Sequence, residues 1–199
     1  RVFQPVSATM FGNSDTDIQN ELTPLNPQSP YAVCKAAAYH WARYYRQSCG
    51  MFVSTAILYN HDSPRRSGYY LLQKICRAAV AIKEGKQDTL ALGNLDLRVD
   101  IGYARDYMEA AWHIMQLDKA DDFIIGSGQA LMIGELVQEA FSVVGLDYKK
   151  YIIKDEQFWR PGKQPVLFGD ITKAITTFGY NPKTSIQMLI QMLIHGKEY

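Results

Sequence analysis

The sequence is poor in cysteine and has no long apolar run. Cys34, Cys49 and Cys76 are odd in number and lack the paired spacing of a metal site, so we expect reduced thiols, a cytoplasmic protein and no metal centre. No stretch approaches the roughly 20 apolar residues that cross a bilayer, and no membrane partner is expected. The formal net charge of +1 argues against a protein built to bind nucleic acid.

A glycine-rich phosphate-binding turn is absent as well. Dinucleotide-binding folds hold the pyrophosphate on such a turn after their first strand, at a helix N-terminus. The run Gly126-Ser127-Gly128 comes late and is interpreted as a loop that follows a strand. One apolar run, at residues 2–6, precedes the first long loop, and a parallel sheet needs more strands than this. We therefore expect the chain to begin in the middle of a domain.

The sequence does contain a regular alternation of strand and helix patterns. Hydrophobic residues make up 47% of the 199 residues and charged residues 21%, which is ordinary for a globular protein with a sizeable core. Apolar β-branched runs predict strands at 2–6, 51–58, 89–92, 123–125 and 148–153. Apolar residues at helical spacing predict helices at 30–48, 69–83, 103–117, 133–144, 171–178 and 184–194, and residues 13–28 are predicted to form a polar loop. This order indicates an α/β fold.

The segment that begins at Ser29 carries candidate chemistry. Ser29 is a good helix cap and Pro30 suits the first helical turn. Tyr31 and Lys35 then lie four residues apart on one face of the helix. A lysine beside a phenol stabilises the phenolate, so Tyr31 is a candidate acid and base for the proton of a sugar hydroxyl.

Other runs extend this pattern along the chain. Ser7-Ala8-Thr9-Met10-Phe11-Gly12 precedes the tyrosine–lysine helix by about twenty residues. Further on come Leu58-Tyr59-Asn60-His61-Asp62-Ser63-Pro64-Arg65-Arg66, Leu92-Gly93-Asn94-Leu95-Asp96, Asp106-Tyr107, and Arg160-Pro161 followed by Gly169-Asp170. Together these runs resemble the GDP-mannose 4,6-dehydratases, of the extended, nucleotide-sugar branch of the short-chain dehydrogenases/reductases, and the closely related GDP-4-keto-6-deoxy-mannose reductases. The resemblance covers essentially the whole chain and is to the carboxyl part of the family.

The resemblance implies both an architecture and ligands. It implies a partial Rossmann, NAD(P)-binding parallel sheet that lacks its N-terminal strands, and a small α/β substrate-binding domain. Residues 1–60 and 103–127 would form the carboxyl half of the Rossmann domain, and residues 61–102 and 128–199 the nucleotide-sugar domain. NADP is the implied cofactor and a GDP-sugar the implied substrate. The reaction implied is conversion of GDP-mannose to GDP-4-keto-6-deoxy-mannose, a step of GDP-fucose biosynthesis.

The resemblance also implies roles for single residues. Tyr31 would take the proton of the sugar C4 hydroxyl while hydride leaves C4 for NADP. Lys35 would bind the nicotinamide ribose and hold Tyr31 ionised, and Ser7 would hydrogen-bond the C4 oxygen. The expected cofactor contacts are Tyr31, Lys35, Asn60, His61 and Arg66, and the expected substrate contacts are Thr9, Asn60, Lys74 and Arg160.

Three departures from the family pattern leave other functions open. Dehydration needs a base that removes the C5 proton, and Thr9 stands where the family has a glutamate. Val99 stands where the family has an arginine that commonly contacts the substrate diphosphate, and Lys163 and Pro165 replace two acidic residues. The alternatives are a GDP-4-keto-6-deoxy-sugar reductase or epimerase, and an inactive remnant that acts only by association.

The resemblance implies association between chains. Extended members of the superfamily often pair the tyrosine–lysine helix across subunits, so a homo-oligomer, or association with a full-length paralogue, is expected. Because the glycine-rich turn is absent, we expect the 199-residue chain by itself neither to bind NADP tightly nor to turn over GDP-mannose.

Overall fold

The computed structural model of the chain describes residues 1–155 and 166–197. These residues divide into two compact units. The first unit holds residues 1–61, 100–130 and 166–183, and the second holds residues 62–99, 131–155 and 184–197. No described helix combines the length and the apolar composition needed to cross a membrane.

The secondary structure is labelled in chain order. The strands are β1 (Val2–Ser7), β2 (Ile18–Gln19), β3 (Val53–Leu58), β4 (Asn60–Asp62), β5 (Leu90–Leu92), β6 (Arg98–Val99), β7 (Ile101–Tyr103), β8 (Asp122–Ile125), β9 (Leu131–Met132), β10 (Ile152–Lys154) and β11 (Phe168–Gly169). The α-helices are α1 (Pro30–Ser48), α2 (Leu71–Lys83), α3 (Ala104–Gln116), α4 (Ile133–Val143), α5 (Thr172–Phe178) and α6 (Ile186–His195). Ala8–Phe11 and Tyr148–Lys150 form short 3₁₀ helices.

A three-stranded parallel sheet forms the centre of the first unit. Its strand order is β1-β3-β8, and both pairings are parallel. In the register of these pairs, Ser7 lies opposite Leu58 and Leu58 lies opposite Ile125. The three strands therefore end in one row, which is the carboxyl edge of the sheet. Strand β8 is buried along its whole length, as expected for a parallel strand covered on both faces.

Helix α1 begins and ends where its local sequence predicts. The Ser29 hydroxyl accepts a hydrogen bond from the Ala32 N–H at 3.2 Å, and Pro30 occupies the first turn, where no N–H is needed. The helix ends at Cys49, and Gly50 follows it with a φ of 64°, a conformation that glycine adopts without a side-chain clash. The predicted bounds of this helix are confirmed.

Helices cover both faces of the sheet. On one face, α1 contributes Ala36 and Tyr39 to a cluster of buried residues that also contains Val6 and Ile57. On the other face, α3 and α5 pack on a second cluster, which is formed by Ala56, Tyr107, Ala110, Ile114, Phe123, Ile125, Ala174 and Tyr180. A sheet with helices on both faces confirms the predicted α/β class.

Strand β2 lies in the segment predicted to be entirely loop. It pairs in parallel with β11, which comes about 150 residues later. Gln19, the second residue of β2, is fully buried. Its amide nitrogen donates to the Thr16 and Val166 carbonyl oxygens, and its Oε1 accepts from the Phe168 N–H. The polar sequence hides this strand because its inward residue is hydrogen-bonded rather than apolar.

The second unit is built around three helices. Helices α2, α4 and α6 pack on one another, and their buried side chains include Leu72, Ile75, Leu136, Val137, Leu189 and Ile190. Strand β5 pairs in parallel with β10. A strand was predicted from residue 148, but the Asp147 carboxylate accepts the Lys149 N–H and starts a 3₁₀ turn, so β10 begins only at Ile152.

The bounds of the two units differ from those of the predicted domains in several places. Residues 61, 100–102 and 128–130 were predicted in the substrate domain and lie in the first unit. Residues 166–183 were assigned to the substrate domain, whereas they pack in the first unit through the β2–β11 pair and through α5, which lies on β8. Sequence patterns did not reveal this return because it depends on contacts with residues far away in the chain. The ligand-binding roles assigned to the two domains stay predictions.

Candidate active site

Two hydroxyl groups, those of Ser7 and Thr9, lie at the carboxyl end of β1. Ser7 ends β1 in an extended conformation and caps the following 3₁₀ helix. Its Oγ accepts hydrogen bonds from the Thr9 N–H at 3.3 Å and from the Thr9 hydroxyl at 3.0 Å. A serine oxygen that accepts two bonds still has its own O–H to donate. Ser7 therefore presents a hydrogen-bond donor at the strand end, and the Thr9 proton is already used.

Helix α1 brings Tyr31 and Lys35 to the same strand. Tyr31 lies in the first turn and is 57% exposed, so its phenol is accessible to a ligand. The Lys35 Nζ lies 5.7 Å from the centre of the Tyr31 ring, within the range of a cation–π contact. The same Nζ donates to the Pro5 carbonyl oxygen at 3.2 Å. Since Pro5 is two residues before Ser7 on β1, this bond ties the tyrosine–lysine pair to the strand that carries the serine.

The two polar residues that follow β3 are held by backbone oxygens. The Asn60 amide nitrogen donates to the Asp100 carbonyl at 3.2 Å, and the Asn60 carbonyl accepts the Tyr107 hydroxyl at 3.1 Å. The His61 Nδ1 lies 2.9 Å from the Tyr59 carbonyl, and its ring centre lies 5.1 Å from that of Tyr107. These contacts fix the orientation of both side chains in the first unit.

The predicted ligands Arg66 and Lys74 belong to the second unit. The Arg66 guanidinium lies over the Tyr70 ring, with its central carbon 3.6 Å from the ring centre, within the range of a cation–π contact. The Lys74 Nζ donates to the Ala91 carbonyl at 2.8 Å. Arg160, the remaining predicted substrate ligand, lies outside the described residues.

Sequence reasoning missed a buried carboxylate at the carboxyl edge. Asp100 has no solvent exposure, and its Oδ1 accepts from both the N–H and the hydroxyl of Ser127. Burial raises the pKa of Asp100 from 3.8 to about 6, although the bonds from Ser127 act to lower it. A signal was present in the sequence: Asp100 lies directly between the apolar residues Val99 and Ile101. The signal is weak, because buried aspartates are rare without a cationic partner.

Among residues 1–155 and 166–197, no group of three or more histidine, cysteine or acidic side chains lies close enough to bind a metal ion.

Solved structures with the same fold include several cofactor complexes. The structure of RMD from Pseudomonas aeruginosa complexed with NADPH superposes with a TM-score of 0.88 at 22% identity, and the match covers 98% of this chain and 65% of that one. A dTDP-glucose 4,6-dehydratase from Bacillus anthracis in complex with NAD gives a TM-score of 0.85 at 21% identity, covering 98% of this chain and 61% of that one. These likenesses confirm the predicted partial Rossmann fold.

Sequence comparison identifies the family. A family model described as GDP-mannose 4,6 dehydratase matches residues 1–193. GDP-mannose 4,6 dehydratase 2 of Arabidopsis thaliana is 37% identical over 194 residues, which cover 98% of this chain and 52% of that protein. The human GDP-mannose 4,6 dehydratase is 30% identical over 213 residues, covering 98% and 57%. The chain thus spans about half the length of the curated relatives it matches. It belongs to the GDP-mannose 4,6-dehydratase family.

Proposed function

We propose that this chain supplies the sugar-oxidising half of an NADP-dependent GDP-mannose 4,6-dehydratase. The observation that carries the proposal is the attachment of Tyr31 and Lys35 to the strand that ends in Ser7, through the hydrogen bond from Lys35 to Pro5. This arrangement offers a phenol, an ammonium group and a hydroxyl donor on two neighbouring elements. Family membership and the names of the relatives support a GDP-sugar as the substrate class.

The side chains of the first unit suit a nicotinamide dinucleotide. The Lys35 ammonium stands beside an exposed phenol, and the Asn60 amide and His61 imidazole are held by backbone oxygens near the end of β3. Ammonium and amide groups donate hydrogen bonds, which ribose and phosphate oxygens accept. The imidazole of His61, whose Nδ1–H donates to the Tyr59 carbonyl, has Nε2 as an acceptor that suits a ribose hydroxyl. We propose Arg66 as a further cofactor contact, because its guanidinium lies over the Tyr70 ring and can donate to phosphate oxygens.

The bound cofactor supplies the hydride acceptor. Tyr31, as the phenolate, accepts the proton of the C4 hydroxyl as the C4 hydrogen leaves with its electron pair. Lys35 stabilises the phenolate through its positive charge. Ser7 donates its O–H to the C4 oxygen and orients the sugar. We propose Asn60, Lys74 and Arg160 as contacts to the rest of the substrate.

Removing the phenol hydroxyl tests this proposal. In a chimera that joins this chain to the remaining part of the Arabidopsis thaliana enzyme, Tyr31→Phe is expected to lower oxidation at C4 by at least a hundredfold, because loss of a general base typically costs that much. Tyr44→Phe is the matched control, since Tyr44 lies on the same helix with 52% exposure. Transient NADPH formation in a single turnover, followed by stopped-flow absorbance, measures both, because the complete dehydratase reaction returns the hydride to the sugar. Activity above a hundredth of the parent in the Tyr31 variant would reject the assignment.

A second candidate function is favoured by the bond between Thr9 and Ser7. Elimination of water across C5 and C6 requires a base for the C5 proton, and the Thr9 hydroxyl donates its proton to Ser7 at 3.0 Å. A threonine is un-ionised at neutral pH and does not serve as that base. A reductase or an epimerase acting on a GDP-sugar needs C4 chemistry without this carboxylate.

Two substitutions at Thr9 separate the candidates. We expect Thr9→Glu to raise exchange of the C5 proton in the chimera and Thr9→Ala to leave it nearly unchanged, because the hydroxyl takes no part in that step. NMR of the sugar in D₂O measures the exchange. Rapid exchange in the parent would show that another residue is the base and would favour the dehydratase.

A further inference from the structure

Asp100 is a carboxylate enclosed by the carboxyl edge of the first unit. Its exposure is zero, and its Oδ1 accepts the Ser127 N–H at 2.7 Å and the Ser127 hydroxyl at 2.6 Å. Ser127 belongs to the turn directly after β8. The carboxylate therefore clamps the segment leading into β7 to the end of β8.

The second oxygen of this carboxylate has no hydrogen-bond partner among the described residues. Asp100 Oδ2 is buried and unpaired, and a Cβ atom added to Gly126 would lie 2.5 Å from it. The Gly169 N–H favours the charged form of the carboxylate but does not meet hydrogen-bond geometry with Oδ2. A buried carboxylate with an unpaired oxygen is costly, and such groups are concentrated where function requires them.

Among the residues that the structure describes, the groups that act on Asp100 carry no positive charge. Tyr59, Tyr107 and Tyr180 face it, and burial, reinforced by the Asp100 charge, raises the pKa of each phenol well above its usual value. The other charges that act on these phenols come from Asp106 and Glu21, and both are negative. The phenols are therefore neutral near pH 7, and Asp100 stays charged there only through the N–H and O–H groups that point at it.

The three phenol hydroxyls donate to other oxygens. Tyr59 donates to the Gln19 side chain at 2.9 Å, Tyr107 to the Asn60 carbonyl at 3.1 Å and Tyr180 to the Gly126 carbonyl at 2.9 Å. None of these bonds supplies the missing donor for Oδ2. These bonds hold the three phenol rings around Asp100 in place.

The main chain of Asp100 holds a predicted cofactor contact. Its carbonyl accepts the Asn60 side-chain amide at 3.2 Å, and Asn60 in turn accepts the Tyr107 hydroxyl. Tyr107 also packs against the His61 ring. The Asp100–Ser127 clamp therefore sets where the oxygen that receives Asn60 lies.

We propose that Asp100 is a positioning residue, which through its clamp on Ser127 holds the Asn60 side chain in place for the nicotinamide cofactor. The proposal rests on the proposed function for the identity of the ligand. The positioning itself is a property of the chain alone. Loss of the Asp100 charge weakens the clamp, so the orientation of Asn60 follows the protonation of Asp100.

The test on the chain alone is NMR between pH 4.5 and 8. The Asp100 carboxyl carbon and the Asn60 side-chain amide are expected to change with one midpoint, near pH 6. In Asp100→Asn the pH response of the Asn60 amide disappears. In Ser127→Ala the midpoint moves to higher pH, because the lost hydroxyl bond favoured the charged form. The control Asp170→Asn, which removes a carboxylate that accepts the Thr172 N–H, keeps the response of the parent.

An Asn60 response that persists unchanged in both Asp100→Asn and Ser127→Ala overturns the positioning role. If Asp100→Asn does not fold, the direction of the shift in Ser127→Ala decides alone.

The chimera tests the link to the cofactor. We expect Asp100→Asn to raise KM for NADP by about tenfold, the worth of one hydrogen bond, with a smaller change in kcat. The pH dependence of this KM near pH 6 is expected in the parent and absent in the variant. A KM unaffected by the variant overturns the inference while the proposed function stands. If the chimera binds no NADP at all, the proposed function is rejected. The NMR experiment on the chain alone then still tests whether Asp100 positions Asn60.

Discussion

The two ends of the parallel sheet in the first unit are built in different ways. At the amino end, Asp122 opens β8 and is paired: its carboxylate accepts from Arg46 at 2.7 Å and from the Thr55 hydroxyl at 2.7 Å. Arg46 also donates to the Val53 carbonyl at the start of β3, and Lys173 pairs with Asp121 at 2.7 Å. Two of these contacts join opposite charges, one caps the start of β3, and the Thr55 hydroxyl gives the Asp122 carboxylate a further donor.

At the carboxyl end, the described polar groups are hydroxyls, amides and a carboxylate that no cation balances. Ser7, Asn60 and Ser127 line this edge, and Asp100 lies buried behind them. Lys35 donates to the Pro5 carbonyl of β1. The charged groups at the amino end are thus paired, which favours stability. The carboxyl end holds hydrogen-bond donors and an ionisable group, which are typical of the ligand-binding edge of an open α/β sheet.

The pKa directions show the same contrast. At the amino end, burial alone would raise the pKa of Asp121, but hydrogen bonds from Lys173 and from the Asp122 N–H hold it below its usual value. At the carboxyl end, burial dominates, and the pKa of Asp100 rises to about 6. Paired carboxylates stabilise a fold near neutral pH, and an unpaired buried one costs stability there.

The largest effect is expected from breaking the amino end. Asp122→Ala leaves the partly buried Arg46 without its carboxylate, and removing one partner of a buried pair costs about 3 kcal/mol or more in the free energy of unfolding. Urea unfolding at pH 7 measures the loss. Asp118→Ala, at an exposed position, should change the free energy by less than about 0.5 kcal/mol. A loss below about 1 kcal/mol in the first variant would contradict the contrast between the ends.

Removing the charge of Asp100 at the carboxyl end should raise the free energy of unfolding near neutral pH, whereas Asp122→Ala lowers it. The folded chain binds a proton at Asp100 with a pKa of about 6, above the ordinary 3.8, so protonation stabilises the fold fully below about pH 4. This stability is lost as the pH rises to about 6, and the loss amounts to about 3 kcal/mol. The free energy of unfolding of Asp100→Asn, relative to that of the parent, should therefore increase by about 3 kcal/mol between pH 4 and pH 8.

Urea unfolding of the parent and Asp100→Asn across this range checks the expectation. The difference between the two proteins isolates Asp100 from the other acidic groups. Asp170→Asn is the control, because the Thr172 hydroxyl and N–H hold the pKa of Asp170 below its usual value, and its removal should cost stability as the pH rises. A constant difference between parent and Asp100→Asn would show that Asp100 is not linked to stability.

The smallest effect is expected at the start of α1, which carries Tyr31. Ser29→Ala removes the cap on the Ala32 N–H and should lower the free energy of unfolding by about 1 kcal/mol. Ser185→Ala removes an equivalent cap at Met188 in the second unit, at the same distance of 3.2 Å, and serves as the matched comparison. If Tyr31 acts as proposed, only the first variant should also lower C4 oxidation in the chimera.

Much of the fold was predictable because its signals are local. Ser29, Pro30 and Gly50 mark the ends of α1 within a few residues of sequence, and the α1 bounds were predicted without error. Strands β3 and β8 are apolar runs of the length and composition that predict buried strands. The four-residue spacing of Tyr31 and Lys35 on a helix follows from helix geometry alone.

The rest was decided by contacts between distant parts of the chain. Ser127 lies 27 residues after Asp100, and no local pattern shows that the two meet. The same holds for Gln19, whose side chain is buried against a strand about 150 residues later. Local sequence therefore determined the helices, strands β1, β3, β5 and β8, and the tyrosine–lysine pair. Only the tertiary structure decided which polar groups became buried, because burial and its effect on a carboxylate depend on what the rest of the chain places around it.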